Sequence, residues 1–185
     1  MNGAESLVQT LVKGGVDTCF ANPGTSEMHF VAALDRVGGM RCVLTLFEGV
    51  ASGAADGYGR MTDKPAATLL HLGPGLGNAL ANLHNARKAR TPLVNIVGDH
   101  AVHHRGYDAP LTSDVEGVAR PMSDWVRTST DARSVADDGA DAVAAARSAP
   151  GGVATLILPA DTAWNEATGV AAPRPVKPAA TVDAA

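Results

Sequence analysis

An α/β domain built on a parallel sheet of about six strands, with helices on both faces, is the fold that this sequence predicts. Three observations lead there. Short apolar runs alternate with segments of helical periodicity along most of the chain. The runs lack the period-two alternation of a half-exposed strand, which suits strands covered on both faces. Glycine pairs and Asn-Pro-Gly or Gly-Pro-Gly clusters punctuate the alternation, and right-handed crossovers then follow as the expected connections.

Ala4, Leu7, Val8, Leu11 and Val12 recur at helical spacing, so the chain should begin with a helix that Gly14-Gly15 end. Asp17 to Ala21 reads as a strand closed by Asn22-Pro23-Gly24. Thr25 or Ser26 can cap a second helix whose apolar face is Met28, Val31, Ala32 and Leu34, with Gly38-Gly39 as its stop. Cys42 to Phe47 is the second strand and leads into a Gly/Ala-rich helix from about Gly49 to Met61. Ala67 to Leu72 is the third strand, Gly73-Pro74-Gly75 a turn, and Leu76 to Ala89 a helix. Leu93 to Val97 is the fourth strand, and a looser stretch from Gly98 to about Pro121 follows it. Trp125-Val126-Arg127 reads as a short strand, Val135 to Arg147 as a helix and Val153 to Leu158 as the last strand. The domain is expected to span residues 1–165. Residues 166–185, with Pro173, Pro175 and Pro178 and no periodicity, read as a linker toward a missing middle domain.

Composition narrows the function. With 185 residues and 45% apolar content the chain is globular, and its net charge of −4 lacks the basic footprint of a nucleic-acid partner. Arg87, Lys88 and Arg90 cluster where a helix should end, which its dipole explains. Cys19 and Cys42 lie in apolar runs and read as buried free thiols. No basic region followed by an apolar stretch opens the sequence, and no apolar run approaches the ~20 residues of a membrane span, so a cytoplasmic protein is expected.

Ligands of open α/β sheets sit at the carboxyl ends of the strands, so those loops hold the candidate sites. Gly73-Pro74-Gly75-Leu76-Gly77-Asn78 has Asn where a dinucleotide fingerprint needs its third glycine, and no Gly-Lys-Ser/Thr phosphate loop or Gly-x-Ser-x-Gly elbow occurs. His100, His103 and His104 cluster without the ligand pattern of a metal set and read as a solvated loop. The most unusual segment is Phe47-Glu48-Gly49, where a strand runs into a carboxylate and a helix follows with Gly49, Gly53 and Gly57 spaced by four. Each interior glycine costs about 1 kcal/mol relative to alanine, so the stripe calls for a helix or chain packed close against it. Glu48 is either a helix-start acid that favours the dipole or a carboxyl group in an apolar pocket, held protonated near neutrality to donate a hydrogen bond. The spacing alone does not choose.

Asn22-Pro23-Gly24-Thr25-Ser26-Glu27, then Glu48 through Arg60, then Gly73-Pro74-Gly75-Leu76-Gly77-Asn78-Ala79, resemble the amino-terminal domain of thiamine-diphosphate enzymes. The nearest in pattern are acetolactate synthase large subunits, with benzoylformate decarboxylase next, over roughly residues 3 to 165. The resemblance implies the thiamine-diphosphate-binding fold. It makes Glu48 the acid that hydrogen-bonds N1′ of the aminopyrimidine, so that the ring takes the proton from C2 and the resulting ylid attacks a 2-oxo acid, which loses carbon dioxide. It puts Asn22, Pro23, Gly24, Gly73 and Asn78 about the pyrimidine. His71 aligns with a proton-relaying histidine of benzoylformate decarboxylase, although a histidine satisfied at a strand end is an equal reading, and Thr25 falls on an active-site serine of that enzyme. The implied partners are a second copy of the chain across the cofactor site and a diphosphate-binding domain or subunit holding Mg²⁺. The family's Gly-Asp-Gly…Asn segment for that metal is absent here. Gly98-Asp99-His100 also replaces the glutamine usual after the fourth strand of acetolactate synthases, which puts acetolactate synthesis itself in question.

Overall fold

A computed structural model of the chain describes residues 1–181. Among them, six strands form one all-parallel sheet: β1 (Thr18–Asn22), β2 (Arg41–Leu44), β3 (Ala66–Leu70), β4 (Leu93–Asp99), β5 (Trp125–Thr128) and β6 (Val153–Pro159), in the order β2-β1-β3-β4-β6-β5. The helices are α1 (Gly3–Lys13), α2 (Met28–Arg36), α3 (Glu48–Thr62), α4 (Leu72–Ala89), α5 (Val115–Ala119), α6 (Val135–Arg147) and α7 (Ala160–Trp164).

Alternate residues of the same strands feed two cores. Ala67 and Leu69 of β3, Val94 and Ile96 of β4, and Ala154 and Leu156 of β6 pack with α1, α2, α6 and α7. Ala66 and Leu70, Leu93 and Val97, and Val153 and Ile157 pack with α3, α4 and α5 on the other face. Both faces being covered explains why these strands read as continuous apolar runs. The sequence departs from that reading at β2. It is an edge strand with Cys42 and Leu44 exposed, so Cys42 is an exposed free thiol and only Cys19 is buried.

Local chemistry accounts for the other departures. Asn2 caps α1 in a reciprocal pair with Glu5. No hydroxyl caps α2; Thr25–Glu27 form a 3₁₀ turn first, and the helix then buries Phe30, Ala33 and Leu34 while Met28 is exposed. Gly73-Pro74-Gly75 is the first turn of α4 and not a loop, a place where the missing N–H of proline costs nothing. The looser stretch after β4 contains a 3₁₀ segment, Val102–Tyr107, as well as α5, and α7 follows β6 directly. Beyond α7 the described residues run without helix or strand, apart from a bridge between Glu166 and Asn2. They lie along α1 and α6, with Ala171 N–H on Thr10 and Arg174 paired to Asp137 and Asp141. The expected linker's last residues, 182–185, lie outside the described residues.

The topology sets the position of a crevice. From β1 the chain crosses to β2 on one side and returns to β3 on the other. The helix after β1 packs on one face and the helix after β3 on the opposite face. Their loops part at the carboxyl ends of neighbouring strands, the switch point where open α/β sheets bind ligands.

Candidate functional site

Asn22 and Leu70 are register partners, so Pro23-Gly24 and His71 step off the sheet side by side. The residue after His71, Leu72, is fully buried with φ of 51°, a left-handed conformation that an L side chain adopts at a cost of order 1 kcal/mol. Its burial holds this turn, and the turn folds the His71 ring back over Gly24. A Cβ on Gly24 would run into that ring, so glycine is required there.

Beneath His71 lies Glu27, whose side chain is 0% exposed against 25% for His71. Its Oε2 accepts the Gly24 N–H at 2.6 Å and meets His71 Nδ1 at 2.7 Å. Its Oε1 has no hydrogen-bond partner among the described residues and lies where a side chain on Gly98 would stand. Burial is the largest influence on this carboxyl group and pushes its pKa up, against the opposing effect of the Gly24 N–H and His71.

Glu48 is the first residue of α3 and only 9% exposed. Its Oε2 accepts the Asn78 amide at 2.9 Å. Its Oε1 has no hydrogen-bond partner among the described residues and lies 3.1 Å from where a Cβ on Gly75 would sit, a point itself 3.5 Å from His71 Cβ. Gly75 is therefore a shared floor between the two acid–amide and acid–imidazole groups. The Asn82 amide on Gly49 O at 2.6 Å and Ser52 Oγ on the Glu48 and Ala79 carbonyls fix α3 against α4. The glycine stripe divides accordingly: Gly53 packs on Asn82 of α4, whereas a Cβ on Gly57 would meet nothing within 4 Å among the described residues. Around the acid stand exposed apolar side chains, Leu44, Leu46, Phe47 and Val50.

The other expected site residues separate. Asn22 donates its amide to Thr45 O at 2.8 Å, which ties the ends of β1 and β2 together. Pro23 is half-buried at the crevice. Gly73 lets the Ser113 side chain approach the start of α4. Thr25 is exposed and lines a hollow of about 190 Å³ with Ser26, His29, His100, His104 and Trp164. His103 points away to Asp161 at 3.9 Å. Glu27 and Gly98 carry the crevice yet were not singled out from sequence; the available signal was an acid three residues past Gly24 in a motif already quoted. Among the described residues, no group of three His, Cys, Asp or Glu is arranged to hold a metal ion, and no helix is long and apolar enough to cross a membrane.

A family described as thiamine pyrophosphate enzyme, N-terminal TPP binding domain, matches residues 1–123. The chain is 63% identical over 180 residues to IlvX of Mycobacterium tuberculosis, provisionally named an acetolactate synthase large subunit, covering 97% of this chain and 35% of that protein. Benzoylformate decarboxylase of Pseudomonas aeruginosa is 30% identical over 154 residues, covering 83% of this chain and 29% of that enzyme. A solved Mycobacterium smegmatis structure, provisionally described as a thiamin diphosphate-dependent enzyme, superposes with a TM-score of 0.88 at 32% identity, covering 95% of this chain and 34% of the other. The chain thus spans about a third of the length of these relatives.

Proposed function

The chain belongs to the thiamine pyrophosphate enzyme N-terminal domain family, and from that premise we propose that it supplies the cofactor-activating part of a 2-oxo acid decarboxylase or carboligase of the acetolactate synthase kind. The observation that carries this reading is Glu48, with one oxygen anchored by Asn78 and the other unpartnered over a glycine floor. An aminopyrimidine needs such an acid, and the residues present fit it. Glu48 Oε1 is the atom that would share a proton with N1′. The Asn78 amide keeps Oε2 occupied, so the carboxyl group is oriented before the ring arrives. Asn22, Pro23, Gly24 and Gly73 would shape the pyrimidine end. Thiamine diphosphate, when bound, supplies the electron sink for cleaving the bond between a 2-oxo carbon and its carboxylate.

His71 would exchange protons with the substrate through Nε2, the nitrogen not engaged by Glu27. Thr25 and the hollow beside it would position the rest of the 2-oxo acid. The exposed Leu44, Leu46, Phe47 and Val50, next to Glu48, suit the face that a second copy of the chain would cover. The family's Gly-Asp-Gly…Asn segment is not among these residues, which supports a diphosphate and Mg²⁺ site in another domain or subunit, toward which residues 166–181 would lead. Cytoplasmic location completes this reading.

Calorimetry tests the division of labour. The 185-residue chain titrated with thiamine diphosphate and Mg²⁺ should show no tight metal-dependent binding, and tight binding would overturn the assignment. The His71–Glu27 pair favours a second reading, decarboxylation without carbon–carbon bond formation. Product analysis with pyruvate and benzoylformate separates the two, because acetolactate forms only under the first and a free aldehyde under the second.

A further inference from the structure

Glu27 has no part in the chemistry described so far, yet it is the most deeply buried acid at the crevice. Burying an isolated carboxyl group is unfavourable, and this one is buried with an oxygen left unpartnered. Three features hold it in place. The Gly24 N–H and His71 Nδ1 converge on the same oxygen, Oε2. Gly24 has no side chain where the imidazole lies, and Gly98 has none where Oε1 lies.

We propose that Glu27 is the positioning residue of His71, fixing the imidazole as its Nδ1–H tautomer so that Nε2 faces the substrate as a proton acceptor. Deepening the proposed function, this rests on the reading that His71 meets the 2-oxo acid. Oε2 accepts the Gly24 N–H, and an ionised carboxylate, which has no hydrogen to give, accepts from Nδ1–H as well. A protonated carboxyl group would instead donate from Oε2 to Nδ1, so the Nδ1–H tautomer belongs to the ionised state of Glu27. A proton taken by Nε2 leaves the imidazolium with its Nδ1–H still on Oε2, and the same Nε2 returns that proton to the substrate adduct. The neighbouring charged groups, Glu48 across Gly75 and the Asp99–Arg105 pair beyond Gly98, lie outside this contact.

Side-chain ¹⁵N NMR of the histidines, with His71→Gln for assignment, reads the tautomer directly. Wild type and Glu27→Gln should both show Nδ1–H, because the Gly24 N–H orders the Gln carbonyl oxygen toward His71. Glu27→Leu should move His71 toward Nε2–H. A wild-type His71 in the Nε2–H form would overturn the proposal, as would a Glu27→Leu protein with the tautomer unchanged. The wild-type and Gln spectra decide the matter even where the Leu variant does not fold. In the holoenzyme, Glu27→Leu should lower kcat by about 10–100-fold with KM within a few fold, while Glu27→Gln stays within tenfold. Equal losses in both variants would contradict a role in orientation. Proton exchange at C2 of the cofactor, which depends on Glu48, should be unaffected by either, so failure here is separable from failure of the thiamine reading.

Discussion

Across the middle of the sheet, Thr68, Asn95, Thr155 and Ser123 pass hydrogen bonds from β3 through β4 and β6 to the approach of β5, at 2.6, 3.0 and 2.7 Å. At the carboxyl ends of the strands and in the loops beyond, Glu27, His100, Thr112, Ser113 and Ser129 each keep a buried polar atom with no hydrogen-bond partner among the described residues. The ladder residues are buried whole and His100, Thr112 and Ser113 of the rim only in part, but the polar atoms compared are buried in both, with opposite bookkeeping. A buried polar group with its partners is close to neutral for stability, whereas an orphan costs about 1–3 kcal/mol. The ladder thus specifies strand alignment, and the rim leaves polar atoms open at the carboxyl end of the sheet.

Breaking the ladder should have the largest effect on stability. Asn95→Leu strips Thr68 and Thr155 of their partner inside the sheet and should cost about 3 kcal/mol in denaturant unfolding, with the His71 tautomer unchanged. A loss under 1 kcal/mol would erase the contrast. Next comes Gly98→Ala, whose Cβ would strike Glu27 Oε1. It should cost about 1–3 kcal/mol as overpacking and disturb the His71 resonance as well, the coupling that Asn95→Leu lacks.

Smaller, and opposite in sign, is the pH response of Glu27→Gln. Burial raises the folded pKa of Glu27, so the folded chain binds this proton more tightly than the unfolded chain does. The resulting stability is present below the unfolded value of about 4.3 and is lost as pH rises through the folded one. Thermal melts of both proteins should therefore diverge in favour of the variant from about pH 4 toward neutrality, and a pH-independent gap would contradict it. Least of all should come from Arg60→Ala, an exposed i,i+4 pair with Asp56, expected to cost about 0.5 kcal/mol or less.

Most of the sheet was legible because both-face burial writes an unmistakable apolar run. The helix at Val135–Arg147 was read with its observed ends, and β3, β4 and β6 to within two residues. What escaped depended on contacts remote in sequence. The exposure of β2 follows from its place at the sheet edge. The real turn at His71-Leu72 was hidden because leucine is not a turn residue, and only its fully buried position enforces φ of 51°. Glu48 was visible as an acid placed where a strand becomes a helix. Glu27 was not, because its significance lies in Gly98 and His71, each more than forty residues away.

The central claim is that Glu48, anchored by Asn78, is the acid that activates the cofactor. Deuterium exchange at C2 of thiamine diphosphate bound to the holoenzyme measures this directly, in wild type and in Glu48→Gln. The account predicts a slowing of at least about 100-fold in the variant, the scale of a lost general acid–base partner, with binding affinity altered far less. Exchange at a near-normal rate would remove Glu48 from this role.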